Sequence, residues 1–270
     1  MTERKSTKPT RRNLIGGIGL AAAAATGGIA PTQAQAARKT FVLVHGAWHG
    51  GWCWRRVADM LEAQGHKVFV PTLAGLGEKS HLLDAKTNLT THITDIVNLI
   101  KWEDLNGIVL VGHSYAGYIV SGVAEQLHDK IASIVFLDAF VPENGDSLAA
   151  GASKPVKDAL AAAKAKNEIT LKPVPAAVFR VNEKDRAWVD AKCTPQPIAT
   201  MEEGVKITGA REKIAKKAYI RAKGYPSVPF DAAQNKLKTN ASWKIFEMLA
   251  GHDAMVDQPK ELTEILIQVA

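Results

Sequence analysis

A chain of 270 residues, 46% hydrophobic and 23% charged, has apolar material for one large core and the ordinary composition of a globular protein. Its net charge of +7 does not form a phosphate-tracking stripe: Arg4, Lys5, Lys8, Arg11 and Arg12 face only Glu3 in residues 1–36, and both signs are interspersed afterwards, so no nucleic-acid partner is expected. Two cysteines, Cys53 and Cys193, make no disulfide framework in so long a chain. Both thiols are expected free, and with no Cys/His spacing of a metal site, neither metal nor cofactor is expected.

Residues 1–36 read as an export segment. A basic start leads through Thr10-Arg11-Arg12-Asn13-Leu14-Ile15 into a Gly/Ala-rich apolar run from Gly16 to Ala30, and Ala34-Gln35-Ala36 has the small-x-small form of a cleavage site. Paired arginines before a weakly hydrophobic run resemble a bacterial twin-arginine signal, so a periplasmic or secreted location is expected. The run is too short and too rich in glycine for a lasting anchor, and no later segment is apolar enough to span a bilayer, so the mature chain is expected to have no stable membrane insertion.

From residue 37 the pattern alternates strand and helix. Thr40-Phe41-Val42-Leu43-Val44 is a short β-rich run ending at His45-Gly46. Trp54–Gln64 has helical spacing and stops at Gly65, and Lys67–Val70 is a strand stopped by Pro71. A helix over Ile93–Ile100, a strand over Ile108–Val111, a helix over Tyr118–Leu127 and a strand over Ile131–Leu137 follow. Continuous apolar strands between helices predict a mostly parallel central sheet covered by helices on both faces. From about 143 to 215 the chain turns rich in Ala, Lys, Pro and Glu, with a helical piece at Val156–Lys166 and no strong strand; this reads as a helical lid inserted between two sheet strands. Strands at Ala218–Ala222 and Trp243–Met248 and a helix over Pro259–Val269 complete the pattern.

Three places along this α/β frame carry chemistry. In Val111-Gly112-His113-Ser114-Tyr115-Ala116-Gly117 an apolar strand runs into a serine flanked by small residues and then into a helix. A sharp strand-to-helix turn of that kind exposes the hydroxyl of Ser114 as a nucleophile, although Ala116 stands where glycine is usual. His252, after the last strand and behind Gly251, is the candidate base. The loop His45-Gly46-Ala47-Trp48-His49-Gly50-Gly51-Trp52 follows the first strand, so the amides of Ala47 and Tyr115 are the candidate oxyanion donors. His45 and His49 read as residues that shape this loop.

The acid is less obvious. The segment after the penultimate strand, Tyr219-Ile220-Arg221-Ala222-Lys223-Gly224-Tyr225-Pro226, has no carboxylate. Asp138 interrupts the apolar stretch Val135-Phe136-Leu137-Asp138-Ala139-Phe140, where a buried charge needs a partner and an imidazole N–H would supply one. Asp231 is the alternative, at a helix start where capping is the commoner job. Asp253 adjoins His252, and a sequence neighbour usually points elsewhere. Trp48, Phe140 and Trp188 are candidates for an apolar substrate pocket.

The stretches 42–52, 112–114 and 135–142 resemble the α/β-hydrolase superfamily, and within it bacterial esterase-like members and the plant methylesterase and hydroxynitrile lyase group. The resemblance spans residues 40–270 and is weakest in the lid. It implies Ser114 and His252 as nucleophile and base, and Ala47 and Tyr115 as oxyanion donors. The plant members' acid aligns with Tyr225 and does not carry over. Asp138 instead resembles the position of the acid in some haloalkane dehalogenases, whose aspartate nucleophile is here Ser114. The expected activity is hydrolysis of a small-molecule carboxylic ester through an acyl-enzyme. A lyase on the same scaffold is the first alternative, although Gly46 and Asp253 stand where the plant lyases carry threonine and lysine. A non-catalytic ligand-binding protein of this fold is the second.

Overall fold

A computed structural model describes residues 38–270. The expected export segment, residues 1–36, lies outside the described residues. In chain order the elements are β1 (Thr40–Val44), α1 (Arg55–Ala63), β2 (Lys67–Phe69), α2 (Leu89–Trp102), β3 (Ile108–His113), α3 (Ala116–Leu127) and β4 (Ile131–Leu137). There follow α4 (Leu148–Gly151), α5 (Lys154–Ala165), β5 (Thr170–Leu171), α6 (Glu183–Lys192), β6 (Gln196–Pro197) and α7 (Ile198–Glu202). The chain closes with β7 (Lys216–Ala222), α8 (Val228–Lys238), β8 (Trp243–Met248), α9 (Ala254–Asp257) and α10 (Pro259–Val269).

Six strands form one parallel sheet in the order β2-β1-β3-β4-β7-β8. Strands β1, β3 and β4 are buried almost throughout because helices cover both faces, which is why they read as unbroken apolar runs. The order reverses direction at β1 and β3, and such a switch point opens a crevice at the carboxyl ends of the strands. Register places Val44 beside Gly112 and His113 beside Leu137. The loop after β1, the turn after β3 and the end of β4 therefore meet side by side. Next along the same rim lie the turns after β7 and β8, where Leu137 pairs with Ile220 and Ala222 with Met248.

Helix α2 starts earlier than its apolar spacing indicated. Asn88 caps it by accepting from the Thr91 N–H, and the Thr91 hydroxyl accepts from the Asn88 N–H, so residues 88–91 form the helix start. Residues 143–215 contain α4–α7 and a two-stranded antiparallel pair, β5 with β6, that the sequence pattern did not reveal. Two-residue strands are too short to show alternation. This segment is tied to the rest of the domain by several charged contacts. The Arg56 guanidinium donates to both carboxylate oxygens of Asp185 at 2.7 and 2.8 Å, and Glu203 accepts from the backbone and hydroxyl of Thr90. Among the described residues no helix is long and apolar enough to cross a membrane, and no cluster of His, Cys, Asp or Glu has the grouping of a metal site. Both cysteines are free.

Candidate active site

The turn after β3 holds Ser114 in a left-handed conformation, φ +54°. A non-glycine residue there costs on the order of 1–3 kcal/mol and persists only where its surroundings over-determine it. They do so here: the Ser114 N–H donates to the Leu137 carbonyl at 3.2 Å, and its own carbonyl accepts from Gly117 and Phe140. The small residues have distinct jobs. A Cβ on Gly112 would come within 2.8 Å of the Val120 side chain, and one on Gly117 would fall onto the Phe140 carbonyl oxygen. Gly117 is thus the glycine the elbow requires, and Ala116 is accommodated at the first position of α3.

Asp138 also has positive φ, +41°, at the end of β4. Its Oδ2 accepts from His252 Nδ1 at 2.6 Å. A carboxylate can only accept, so Nδ1 carries the proton and Nε2 keeps its lone pair. That lone pair faces the Ser114 hydroxyl at 2.9 Å. Asp138 is wholly buried and His252 nearly so, while Ser114 is partly open to the outside. The second carboxylate oxygen of Asp138 accepts from Arg221 Nη1 at 2.7 Å and from the Ala222 N–H at 3.1 Å. Arg221, on β7, also donates to the carbonyls of Ala222 and Tyr225 and to Asp231. Burial pushes its guanidinium down, but the charges and hydrogen bonds of Asp138 and Asp231 together outweigh that and the net shift is upward. The penultimate strand thus contributes the cation that holds the acid rather than the acid itself. Asp231 lies in the first turn of α8, half-exposed, with Arg221 and Lys223 as partners, and it makes no contact with His252.

The oxyanion candidates stand free beside Ser114. Among the described residues, neither the Ala47 nor the Tyr115 N–H has a hydrogen-bond acceptor, whereas the neighbouring Trp48 N–H does. The peptide carrying the Ala47 N–H is fixed from its other end, because His45 Nδ1 donates to the Gly46 carbonyl at 2.8 Å. The Leu73 N–H donates to His45 Nε2, so this ring is neutral, and burial lowers its pKa to about 3. Gly46 sits tightly here: a Cβ would lie 3.0 Å from both Ser114 Cβ and His113 Nδ1.

The His252 ring is boxed by aromatic neighbours. Phe230 stacks on it with an interplanar angle of 12°, and Tyr225, Phe179 and His113 have ring centroids 4.8, 5.2 and 4.5 Å away. Of the sequence's pocket candidates, Phe140 packs on Phe230 and Trp48 on Phe179, each at the edge of this box. Trp188 stands elsewhere, edge-on to Trp52 and beside the Arg56 guanidinium. It is a packing residue of α6 because Arg56, bound to Asp185, holds its face. The rings the sequence missed come from two separate stretches, Phe179 before α6 and Tyr225 with Phe230 after β7. Only Tyr225 carried a signal, since it follows the penultimate strand. A cavity of about 480 Å³ is lined by Tyr118, Phe140, Ser147 and Gly151 among others, and none of Ser114, His252 and Asp138 lines it.

A second buried pair lies alongside. His49 Nε2 donates to Asp253 Oδ2 at 3.0 Å, and His49 Nδ1 donates to the Ala47 carbonyl at 2.7 Å. Both acceptors demand a proton, so the ring is an imidazolium. Burial pushes its pKa down, but the charge of Asp253 and its hydrogen bond raise it overall. Burial likewise pushes Asp253 up, and His49 holds it well below the carboxylate range. His113, between the two pairs, donates from Nε2 to the His252 carbonyl, and burial together with nearby His252 keeps it neutral.

A sequence model described as "Alpha/beta hydrolase family" matches residues 41–265. The chain is 41% identical over 235 residues to a "Carbendazim hydrolyzing esterase" of Nocardioides sp. (strain SG-4G), covering 84% of this chain and 97% of that one. It is 26% identical over 257 residues to "Methylesterase 7" of Arabidopsis thaliana, covering 86% and 96%. Among solved structures, an extracellular alpha/beta-hydrolase from a Paenibacillus species superimposes with a TM-score of 0.75 at 24% identity, covering 86% of this chain and 99% of that one. The chain belongs to the alpha/beta hydrolase family.

Proposed function

We propose that this hydrolase is a serine esterase that cleaves small carboxylic esters through an acyl-enzyme. The observation that carries the reading is the continuous chain from Asp138 Oδ2 through His252 to the Ser114 hydroxyl, at 2.6 and 2.9 Å, beside two unengaged amides. Ser114 Oγ attacks the ester carbonyl as His252 Nε2 takes its proton. The carbonyl oxygen becomes an oxyanion and accepts from the Ala47 and Tyr115 N–H groups. Asp138 holds the imidazolium in place. His252 then returns the proton to the departing alcohol as the C–O bond breaks. Water attacks the acyl-enzyme by the same route, with His252 again as base, and releases the acid and free Ser114.

The relatives' names suggest methyl esters and carbendazim as substrates to try. The ring box around His252 suits a planar aromatic acyl group. Gly46 favours the esterase over the lyase alternative, because a threonine at that position would crowd Ser114. The test is turnover of carbendazim, methyl benzoate and p-nitrophenyl acetate by purified protein, with cyanohydrin cleavage as a parallel assay. Ester hydrolysis that vanishes in Ser114→Ala supports the reading. Cyanohydrin cleavage without ester hydrolysis would establish the lyase, and no turnover of either kind the binding protein. We also propose that residues 1–36 direct export by the twin-arginine route. Replacing Arg11 and Arg12 with lysine is then expected to retain the protein in the cytoplasm; unchanged export would refute it.

A further inference from the structure

The segment 143–215, read from sequence as a lid, reaches into the oxyanion loop. Trp48, next to Ala47, has φ +65°, a conformation a bulky residue holds only under constraint. Three hydrogen bonds from the segment supply it. The Trp48 N–H donates to Gln196 Oε1 at 2.9 Å, the Trp48 carbonyl accepts from the Thr194 N–H at 2.8 Å, and the indole N–H donates to the Leu171 carbonyl at 3.1 Å. Leu171 and Gln196 face each other across the β5–β6 pair and Thr194 lies just before β6, so one small patch of the segment grips one residue at three points.

Gln196 is the side chain in this grip that a substitution can remove. It is wholly buried, and its Nε2 donates to Thr200 Oγ1 at 2.6 Å, whose hydroxyl donates in turn to the Pro197 carbonyl. The carboxamide orientation follows from its partners, since a backbone N–H can only donate. Removing the acceptor would leave the Trp48 N–H buried and unpaired. It would also free the left-handed turn to relax. The Ala47–Trp48 peptide would then rotate, taking the Ala47 carbonyl off His49 and leaving the Ala47 N–H held only from its Gly46 side, through His45.

Resting on the serine-esterase reading, we infer that Gln196 is a positioning residue for the oxyanion hole, fixing the Ala47 amide through Trp48. Such a residue acts on the tetrahedral transition state and leaves ground-state binding nearly untouched. Losing an oxyanion donor outright costs about 10²–10³-fold, and misplacing one costs less.

The experiment compares wild type with Gln196→Met, Gln196→Glu, Thr200→Val and Ser114→Ala. It measures kcat and KM on p-nitrophenyl acetate and Ki for phenylboronic acid, which forms a tetrahedral serine adduct. Methionine keeps the side-chain volume and removes the acceptor; glutamate keeps the acceptor. Gln196→Met is expected to lower kcat by about 10–100-fold with KM within about 3-fold, and to weaken boronate binding in parallel. Gln196→Glu should recover most of the loss. Thr200→Val, which keeps the Gln196 acceptor but removes the hydroxyl that braces the carboxamide and bonds the Pro197 carbonyl, should lower kcat by a few-fold and decides the matter if Gln196→Met does not fold. Wild-type kcat in the folded variants, a rise in KM alone, or a glutamate variant as impaired as the methionine one would overturn the inference. Ser114→Ala separates the two failures. If it still turns over ester, the serine-esterase reading falls; if it is inactive while Gln196→Met is unimpaired, only this inference falls.

Discussion

The molecule buries two histidine–aspartate pairs about one loop apart, and they do opposite things. In the pair His252–Asp138 the ring's second nitrogen faces a hydroxyl, and in His49–Asp253 it faces a carbonyl. A hydroxyl can give up its proton, so this geometry lets His252 accept it, as the proposed base must. A carbonyl can only accept, so His49 must carry both protons and is a strut between the oxyanion loop and the loop after β8. The acids differ as well. Asp138 is shared with Arg221 and the Ala222 amide, both of which donate to its second oxygen. Asp253 depends on His49 alone for a direct hydrogen bond, with His113 Nε2 3.9 Å away. Proximity of a histidine to a buried acid therefore does not mark a catalytic base; the partner of the other nitrogen does.

The sharpest attack on this contrast is removal of the nucleophile. Ser114→Ala is expected to reduce kcat by about 10⁶-fold, to background, with an unchanged melting temperature. Next, Asp138→Asn is expected to reduce kcat on the order of 10⁴-fold by leaving the wrong tautomer of His252 facing Ser114. It also strands the Arg221 charge, so the rate must be read on protein shown to be folded by circular dichroism.

Asp253→Asn should reverse the balance between rate and stability. Stripping a buried imidazolium of its counter-charge costs about 3–5 kcal/mol, on the order of 10 °C in melting temperature, while kcat in the surviving folded protein falls less than about 10-fold. The pH dependence follows from the signs of the two shifts. The raised His49 pKa stabilises the fold below about pH 6.5, and that contribution is lost as pH rises through the folded value; the depressed Asp253 pKa stabilises above about pH 4 and is lost as pH falls through its folded value. The melting-temperature gap between wild type and Asp253→Asn should therefore be widest between about pH 4 and 6.5 and narrow at alkaline pH. A constant gap, or a 10³-fold loss of kcat, would make Asp253 something other than a strut. The smallest effect is expected for Asp231→Asn, within about 2-fold in rate and 1 kcal/mol in stability, because its ion pairs are exposed on one side. A large rate loss there would exchange the roles of the two candidate acids.

The frame and the Ser114–His252–Asp138 cluster were legible in the sequence for a physical reason. Strands buried on both faces write themselves as unbroken apolar runs, and the clustered polar residues sit where those runs stop, as at Ser114, Asp138 and just beyond Met248. What it hid was non-local. Arg221 reads as an ordinary strand cation until β7 is placed beside β4. Asp253 does point away from its neighbour His252, as expected, but its target His49 lies some 200 positions earlier. Phe179, before α6, and Tyr225 and Phe230, after β7, converge on one imidazole, and no periodicity announces that. Trp188 looked like a pocket residue by type alone and instead packs on Trp52. The grip of Gln196 on Trp48 spans 148 positions and depends on a strand pair too short to leave a pattern.

The most direct measurement is peptide mass spectrometry of the protein quenched with acid during turnover of a p-nitrophenyl ester. The account expects the acyl mass on Ser114 alone in wild type, and none in His252→Ala within the same interval. An acyl group on another residue, or steady hydrolysis that survives loss of Ser114, would contradict it.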